Sequence, residues 1–212
     1  MRMKKNVYSL VLSEQVIAEI DRLAYRRGTN RSGLINSILA DYVSYETPEQ
    51  RIADVFAAVQ NVLTGKEEDF RLMAAPSETM LSLRSALCYK YNPTVRYSLE
   101  LYRGDSPYVG ELRVSMRTQN ARLVELVMDF YRVWITLEAR RLGHQAPCLA
   151  AEGRYTRMID FGGGGDAIAA YIRTFDQALK FYFADTEERT AAVARIDRLL
   201  AASISLFTPA EQ

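Results

Sequence analysis

The sequence of 212 residues has few of the residues that metal sites and disulfide frameworks require. Its two cysteines, Cys88 and Cys148, are too few for a disulfide framework or a cysteine zinc site. The one histidine, His144, excludes most histidine metal sites and argues against histidine-driven catalysis. No nucleophile–base or paired-carboxylate spacing is present either. We therefore expect that the protein holds neither a metal ion nor a cofactor and that it is not an enzyme.

Long apolar runs are missing as well. No run approaches the roughly 18 residues needed to span a bilayer. No apolar stretch with a small-residue cleavage site follows the basic N-terminus. We therefore expect a cytoplasmic protein with no membrane partner. With 49% apolar and 25% charged residues, the composition is typical of a globular protein.

An excess of charge of one sign is absent overall, since 27 basic and 26 acidic residues leave a net charge of +1. The charge is nevertheless unevenly placed. Residues 1–46 contain seven Arg or Lys and five Asp or Glu, and Arg2, Lys4 and Lys5 place three positive charges in the first five residues. A basic arm before a nearly neutral body is typical of proteins whose N-terminus contacts nucleic acid.

The residues after this arm predict one strand and two helices. Residues 6–12 read NVYSLVL, which is rich in β-branched and aromatic residues over the length of a strand. Ser13 has the features of a helix N-cap, so a first helix is expected over about residues 14–27, before Gly28 ends it. Asn30 then caps a second helix. Its apolar stripe consists of Leu34, Ile35, Ile38, Leu39, Tyr42 and Val43.

The predicted strand has two different faces, because successive side chains of a strand point to opposite sides. One face carries Tyr8, Leu10 and Leu12, and the other carries Val7, Ser9 and Val11. A lone strand leaves its backbone N–H and C=O groups unpaired, and no other strand signal lies within residues 1–46. The economical solution is an antiparallel pair with the same strand of a second chain, which makes the module an obligate homodimer.

The segment YSLVLSEQVIAEIDRLAYRRGTNRSGLINSILADY, residues 8–42, resembles the ribbon-helix-helix DNA-binding proteins of the MetJ/Arc/CopG type. The features that match are the alternating strand, the LSEQVI entry to the first helix and the RGTNRSGLI entry to the second. The resemblance covers about residues 4–46. It implies that two chains pair their strands, that this ribbon enters the major groove of DNA, and that the N-terminus of the second helix binds a backbone phosphate.

Carried over by position, the resemblance implies three roles. The residues that face the DNA bases are Val7, Ser9 and Val11. Phosphates are contacted by Asn30, Arg31 and Ser32 together with Arg2, Lys4 and Lys5. The dimer core is formed by Tyr8, Leu10 and Leu12. Valine touches a thymine methyl group but forms no hydrogen bond with a base edge. We therefore expect readout of DNA shape, or readout by Ser9 and the basic arm. The alternative is that residues 1–46 only dimerise.

Residues 47–212 predict an attached α+β domain that is rich in helices and has a small antiparallel sheet. Thr47, Pro48 and Gln50 have the types and spacing of a helix start, so a linking helix is expected over about residues 48–64. Alternating residues predict strands within 82–118, with 95–103 and 111–117 as a hairpin and 82–91 as a strand rather than a helix. Further helices are expected over about 119–142, 166–184 and 187–203, and residues 144–165 are expected to be irregular.

Two groups in this domain are candidate ligand sites. The Gly162–Gly165 run permits backbone N–H groups to approach an anion, but the Lys-Ser/Thr pair of a P-loop is absent, which favours a loop before a helix capped by Asp166. The other group is a basic face of the sheet. One hypothesis is that this face binds an anionic effector or DNA, and the alternative is that it is an ordinary solvated surface. It consists of Arg84, Lys90, Arg96, Arg113 and Arg117 with Tyr89, Tyr97 and Tyr102.

Together these features predict a homodimeric DNA-binding protein that regulates transcription. Its partners are expected to be double-stranded DNA, further copies of itself, and a small molecule or protein that acts on residues 47–212. One alternative is an accessory protein of a plasmid or mobile element, such as an antitoxin or a DNA-transfer or partition factor, with the same ribbon. The other is a ligand-binding protein or enzyme that uses the ribbon only to dimerise.

Overall fold

A computed structural model describes residues 7–65, 69–90, 92–162, 164–184 and 188–207. Over these residues the fold is α+β, with six α-helices and one antiparallel sheet of six strands, as the sequence predicts. The chain divides into two compact units between Arg51 and Ile52. This division falls within a helix, shortly after the expected boundary at residues 46 and 47.

The first unit contains the two predicted N-terminal helices, α1 (Glu14–Arg26) and α2 (Arg31–Tyr42). Both begin at the expected caps, because the Ser13 hydroxyl accepts the N–H of the third helical residue at 3.4 Å and the Asn30 side chain does the same at 2.8 Å. Such caps satisfy N–H groups that have no partner within the helix. The helix positions and caps predicted from the sequence are therefore confirmed.

The strand expected over residues 6–12 is not formed in this single chain. Residues 7–13 have no regular secondary structure, and Asn6 lies outside the described residues. The first regular element of the described chain is therefore a helix, so the single chain does not show a ribbon-helix-helix arrangement. The physical reason is that a strand exists only through its ladder partner, and no segment of residues 13–51 supplies one.

The third helix, α3 (Pro48–Leu63), starts as the sequence predicts. The Thr47 hydroxyl accepts the N–H of Gln50 at 3.2 Å, and the Gln50 side chain accepts the N–H of Thr47 at 2.9 Å. This reciprocal pair is a capping box, which satisfies N–H groups at the helix start. The predicted end at residue 64 is correct within one residue.

The second unit is built around the sheet, whose strand order is β1-β2-β3-β4-β6-β5. The strands are β1 (Arg71–Leu72), β2 (Met80–Ala86), β3 (Thr94–Leu101), β4 (Gly110–Met116), β5 (Cys148–Ala151) and β6 (Arg154–Ile159). The predicted hairpin is the β3–β4 pair. The choice of a strand rather than a helix is confirmed for residues 82–86 by β2, whereas residues 87–90 lie beyond its end. The inner face of these three strands carries Leu81, Leu83, Val95, Tyr97, Leu99, Leu101, Leu112, Val114 and Met116.

The prediction that residues 144–165 are irregular is wrong. The prediction that all strands lie within residues 82–118 is wrong as well. The hairpin of β5 and β6 extends the sheet beyond β4. Its turn places Glu152 and Gly153 at φ values of 50° and 73°, the left-handed pair that a tight hairpin requires. The alternation of β6 is hidden in the sequence because one of its buried residues is Arg157.

Three long helices complete the second unit: α4 (Ala121–Leu142), α5 (Gly164–Ala184) and α6 (Arg189–Ser203). All three were predicted, with bounds that differ by two residues at most. Aromatic rings of α4 and α5 cover the inner face of the sheet, since Phe175 stacks on Tyr155 with centroids 5.2 Å apart and Tyr131 stacks on the same ring at 5.4 Å. The core therefore lies between the sheet and these helices.

Two buried acidic side chains in this core are held by hydrogen bonds. Asp176 accepts from the Tyr97 hydroxyl at 2.7 Å and from the Ser85 hydroxyl at 3.1 Å, and Lys180 Nζ lies 2.8 Å away. Burial and the neighbouring carboxylate raise the pKa of Tyr97 well above its usual value, so its hydroxyl remains a donor. Sequence reasoning missed this group, because its members come from distant strands and a helix.

The second buried carboxylate is Glu138 of α4. It accepts a hydrogen bond from Arg157 Nε at 2.7 Å, and the Arg157 guanidinium lies 4.8 Å from the centre of the Tyr171 ring. Burial raises the pKa of Glu138, although the Arg157 charge opposes the shift. A buried ion pair of this kind requires both partners, since removing one leaves an uncompensated charge.

Candidate functional site

The N-terminal unit exposes the apolar segment that precedes α1. Val7 and Val11 are fully exposed. The exposed fraction falls to 80% at Tyr8, 60% at Leu10 and 38% at Leu12. The two predicted faces of the segment therefore already differ, with the face expected in the dimer core less exposed. Contiguous exposed apolar side chains mark interaction surfaces in most soluble proteins.

The core of this unit is small. The apolar residues buried between α1 and α2 are Ile20, Ala24 and Leu34, with Leu23 and Ile35 packed at their edge. The apolar stripe predicted for α2 is largely exposed rather than buried. Its exposed members are Ile38, Leu39, Tyr42 and Val43. With so little buried surface, the two helices leave a large part of their apolar side chains uncovered.

The N-terminus of α2 is accessible to an anion. Asn30, Arg31 and Ser32, the predicted phosphate contacts, are all exposed. The first turn of α2 contains no acidic residue, so nothing in that turn opposes the positive end of the helix dipole. The Asn30 side chain already accepts the N–H of Gly33, which leaves the backbone N–H groups and the side chains of Arg31 and Ser32 as donors.

Arg31 has a partner that the sequence does not predict. Its guanidinium donates two hydrogen bonds to Asp21 of α1, from Nε at 2.7 Å and from Nη2 at 2.5 Å. These bonds lower the pKa of Asp21 and raise the pKa of Arg31. The ion pair joins α1 to the start of α2, but it also places a carboxylate beside the predicted phosphate site. Ten residues separate the pair in the chain, which is not a helical spacing that sequence reasoning can detect.

The remaining predicted contacts of this unit lie in the basic arm. Arg2, Lys4 and Lys5 are outside the described residues. The described part of the predicted surface is therefore the face of Val7, Ser9 and Val11 and the first turn of α2. Ser9, between the two valines, is also exposed.

The glycine run before α5 has a structural role at its C-terminal end. α5 begins at Gly164, two residues before the expected cap, Asp166. A Cβ atom added to Gly165 would lie 2.6 Å from the backbone oxygen of Val55, so only glycine permits α5 to approach α3 this closely. Close helix packing therefore explains this glycine without a ligand. Gly163 lies outside the described residues.

The predicted basic face of the sheet is present but differs in composition. Arg84, Arg96, Arg113 and Arg117 are exposed, whereas Tyr97 is buried on the opposite face. Tyr97 was misassigned because it follows Arg96 directly, and adjacent residues of a strand point to opposite sides. Tyr89 and Tyr102 are half-buried, and Tyr89 lines a cavity together with Lys90 and Arg117.

Neither a metal site nor a membrane span emerges from the described part of the chain. Its His, Cys, Asp and Glu side chains form no group of three that could hold a metal ion. None of its helices is long and apolar enough to cross a membrane. His144 lies beyond the end of α4, where its Nε2 is 3.3 Å from Asp160.

Comparison with known proteins gives no relative of this chain: no protein-family model, no curated protein and no solved structure matches it. Its function is therefore inferred from its own residues.

Proposed function

We propose that the protein is a homodimeric DNA-binding regulator of transcription whose N-terminal unit is a ribbon-helix-helix module. Residues 7–12 of two chains pair as antiparallel strands, and the face of Tyr8, Leu10 and Leu12 closes the apolar side of α1 and α2. The observation that carries the proposal is the exposed apolar segment directly before two helices with a very small core. Units of this size rarely remain folded on such a core without a partner.

The DNA contact follows from the surface that remains outside the paired strands. The face of Val7, Ser9 and Val11 enters the major groove, as a two-stranded ribbon does. There the valine methyl groups contact thymine methyl groups, and the Ser9 hydroxyl bonds to a base edge. The backbone N–H groups at the start of α2 bind a phosphate on each side of the groove.

Arg31 adds charge to the phosphate site while Asp21 orients it. A guanidinium that is held at two of its nitrogens still has donors available for a phosphate oxygen. The carboxylate of Asp21 limits the strength of that contact, because it repels the same phosphate. We infer that the Asp21–Arg31 ion pair mainly positions the Arg31 guanidinium and adds little to the affinity for DNA.

We propose that the attached domain, residues 52–207, binds a small-molecule effector, binds a protein partner or drives assembly of further copies. It has a large core of its own, formed by residues between Ile52 and Phe207. A domain of this kind fused to a DNA-binding module is a common arrangement in regulators, and this part of the proposal rests on that arrangement alone.

The test is fluorescence anisotropy of the full chain with two labelled duplexes, one from the region upstream of its own gene and one of scrambled sequence, each at two salt concentrations. Tighter binding to the native duplex that persists at the higher salt concentration supports a sequence-reading regulator. Equal and salt-sensitive binding replaces it with an accessory DNA protein, since phosphate contacts alone give this behaviour. Absence of binding to both duplexes at low salt contradicts the proposal and leaves a dimerisation module.

A further inference from the structure

The open face of the sheet carries a row of arginines that the register of the strands aligns. Arg71 pairs with Arg84, Arg84 with Arg96, Arg96 with Ser115, and Ser115 with Arg154. The row crosses five neighbouring strands, from β1 to β6, with Ser115 as its one uncharged position. We name these five residues the arginine row. Strands about 4.8 Å apart give the row a length of about 19 Å.

Three arginines of the row are not compensated by acidic residues among the described residues. Arg84, Arg96 and Arg154 are exposed and form no ion pair with any residue that the structure describes. The acidic residues of this face, Glu100 and Glu111, lie further along the strands and both bind Arg113. Like charges directly opposite each other destabilise an antiparallel pair, so Arg84 opposite Arg96 carries a cost in the free protein. An anion bound across the row relieves that cost.

The positive surface continues past the end of β4 to a cavity of about 270 Å³. Its charged lining residues are Lys90, Arg117 and Arg122, and the lining contains no carboxylate. Asn120, the N-cap of α4, lies in the same wall. The surface is therefore a positive strip rather than a single point, which fits a polyanion better than a small anion.

We propose that the arginine row binds the phosphate backbone of duplex DNA. Over about 19 Å of the helix axis, one strand of a duplex carries about five phosphates, which is close to the number of arginines in the row. Proteins that bind single strands stack the bases on aromatic side chains, and the open faces of β2, β3, β4 and β6 carry no aromatic residue. Tyr89 lines the cavity beyond the row, but along the row itself backbone contact without base stacking favours the duplex. The choice of DNA as the polyanion rests on the proposed function.

The experiment compares two triple variants of the full chain in anisotropy titrations of a scrambled 30-base-pair duplex over a range of salt concentrations. The first variant, R84Q/R96Q/R154Q, neutralises the row. The matched control, R132Q/R140Q/R198Q, removes the same charge from exposed positions of α4 and α6, on the helical side of the domain. Fluorescence of Trp134, the single tryptophan, checks that both variants keep the folded domain.

We expect the row variant to bind at least tenfold more weakly and to lower the log–log salt slope by roughly 2 to 3, since each lost phosphate contact lowers it by about 0.9. The control should change the slope by less than about 1. An unchanged slope in the row variant, with Trp134 fluorescence intact, overturns the proposal. Binding of poly-glutamate with the same affinity and the same dependence on the row overturns the choice of DNA.

The same titration in the Leu10→Lys background separates this proposal from the proposed function. If only the ribbon binds DNA, Leu10→Lys abolishes binding and the row variant has no effect, which contradicts the inference drawn here. If the row binds DNA by itself, Leu10→Lys leaves salt-sensitive binding that the row variant then removes. That outcome supports the row whether or not the ribbon reads sequence.

Discussion

The two units of this chain solve the problem of burying apolar surface in different ways. The second unit encloses its own core between a six-stranded sheet and its helices, and the carboxylates of Asp176 and Glu138 are paired within it. The first unit buries Ile20, Ala24 and Leu34 between two helices and leaves the segment of residues 7–12 exposed. From this difference we infer that the first unit is completed by a second copy of the chain, as the proposed function requires.

The largest effect should come from placing a charge in the proposed shared core. Leu10→Lys introduces one buried lysine from each chain, and each buried charge costs several kcal/mol. We expect the dimer dissociation constant to rise at least about a thousandfold, or about 4 kcal/mol. Analytical ultracentrifugation of the full chain measures this change. The unfolding transition reported by Trp134 should be preserved, because no residue of the first unit belongs to that core.

The matched control for this prediction is the neighbouring residue. Val11→Lys places the same charge on the opposite face of the segment, where the proposed ribbon is exposed to solvent or DNA. It should leave the dimer intact. If both variants dissociate equally, or if neither does, residues 7–12 do not pair as an alternating strand.

A large effect confined to the second unit is expected from its buried ion pair. Arg157→Met removes the cation that balances the buried Glu138, which should lower the free energy of unfolding by about 3 to 5 kcal/mol. Urea unfolding followed by Trp134 fluorescence measures the loss, while the dimer constant should not change. Adding Glu138→Gln should restore most of the stability. A double variant as unstable as Arg157→Met would mean that the packing of the arginine, rather than its charge, is what matters.

A smaller loss is expected from the other buried carboxylate. Tyr97→Phe removes the donor that lies 2.7 Å from Asp176 and should cost about 1 to 3 kcal/mol. Lys180 and Ser85 continue to bind the carboxylate, which is why the loss should be smaller than that of Arg157→Met. The same urea titration measures it. Tyr89→Phe is the control, since that half-buried ring has no hydrogen bond to an acid among the described residues and should be neutral.

The smallest effect concerns the phosphate site at the start of α2. Arg31→Ala should weaken binding to all duplexes by a similar factor and lower the log–log salt slope by about 1. Asp21→Asn removes the ion pair but keeps the positive charge, so binding should be unchanged or tighter. Anisotropy titrations of both variants decide the matter. Equal weakening by the two substitutions would mean that Arg31 acts only by joining α1 to α2.

Much of the fold follows from local patterns in the sequence. The caps of α1, α2 and α3 and the alternation of β3 and β4 depend on residues close in the chain, so composition and spacing suffice to predict them. The β5–β6 hairpin is not predicted from the sequence, because Arg157 occupies an inward position of β6 and breaks the apolar alternation. Contacts between residues far apart in the chain are the second kind of feature that the sequence pattern does not predict.

The candidate sites depend on such long-range contacts more than the helices do. The Asp21–Arg31 pair joins two helices, and the arginine row exists only through the register of five strands. Neither is readable from spacing along the chain. The predicted strand of residues 6–12 is the reverse case, since its pattern is local but its ladder requires a partner outside the single chain.

Amide hydrogen exchange of residues 7–12 in the full chain tests the central claim most directly. In an antiparallel ribbon, backbone N–H groups that bond across the strands are protected, and those between them are not. We predict protection at alternate residues that increases with protein concentration and disappears in Leu10→Lys. Exchange of all six amides at the rate of an unstructured peptide, at concentrations where the chain is dimeric, would contradict the ribbon.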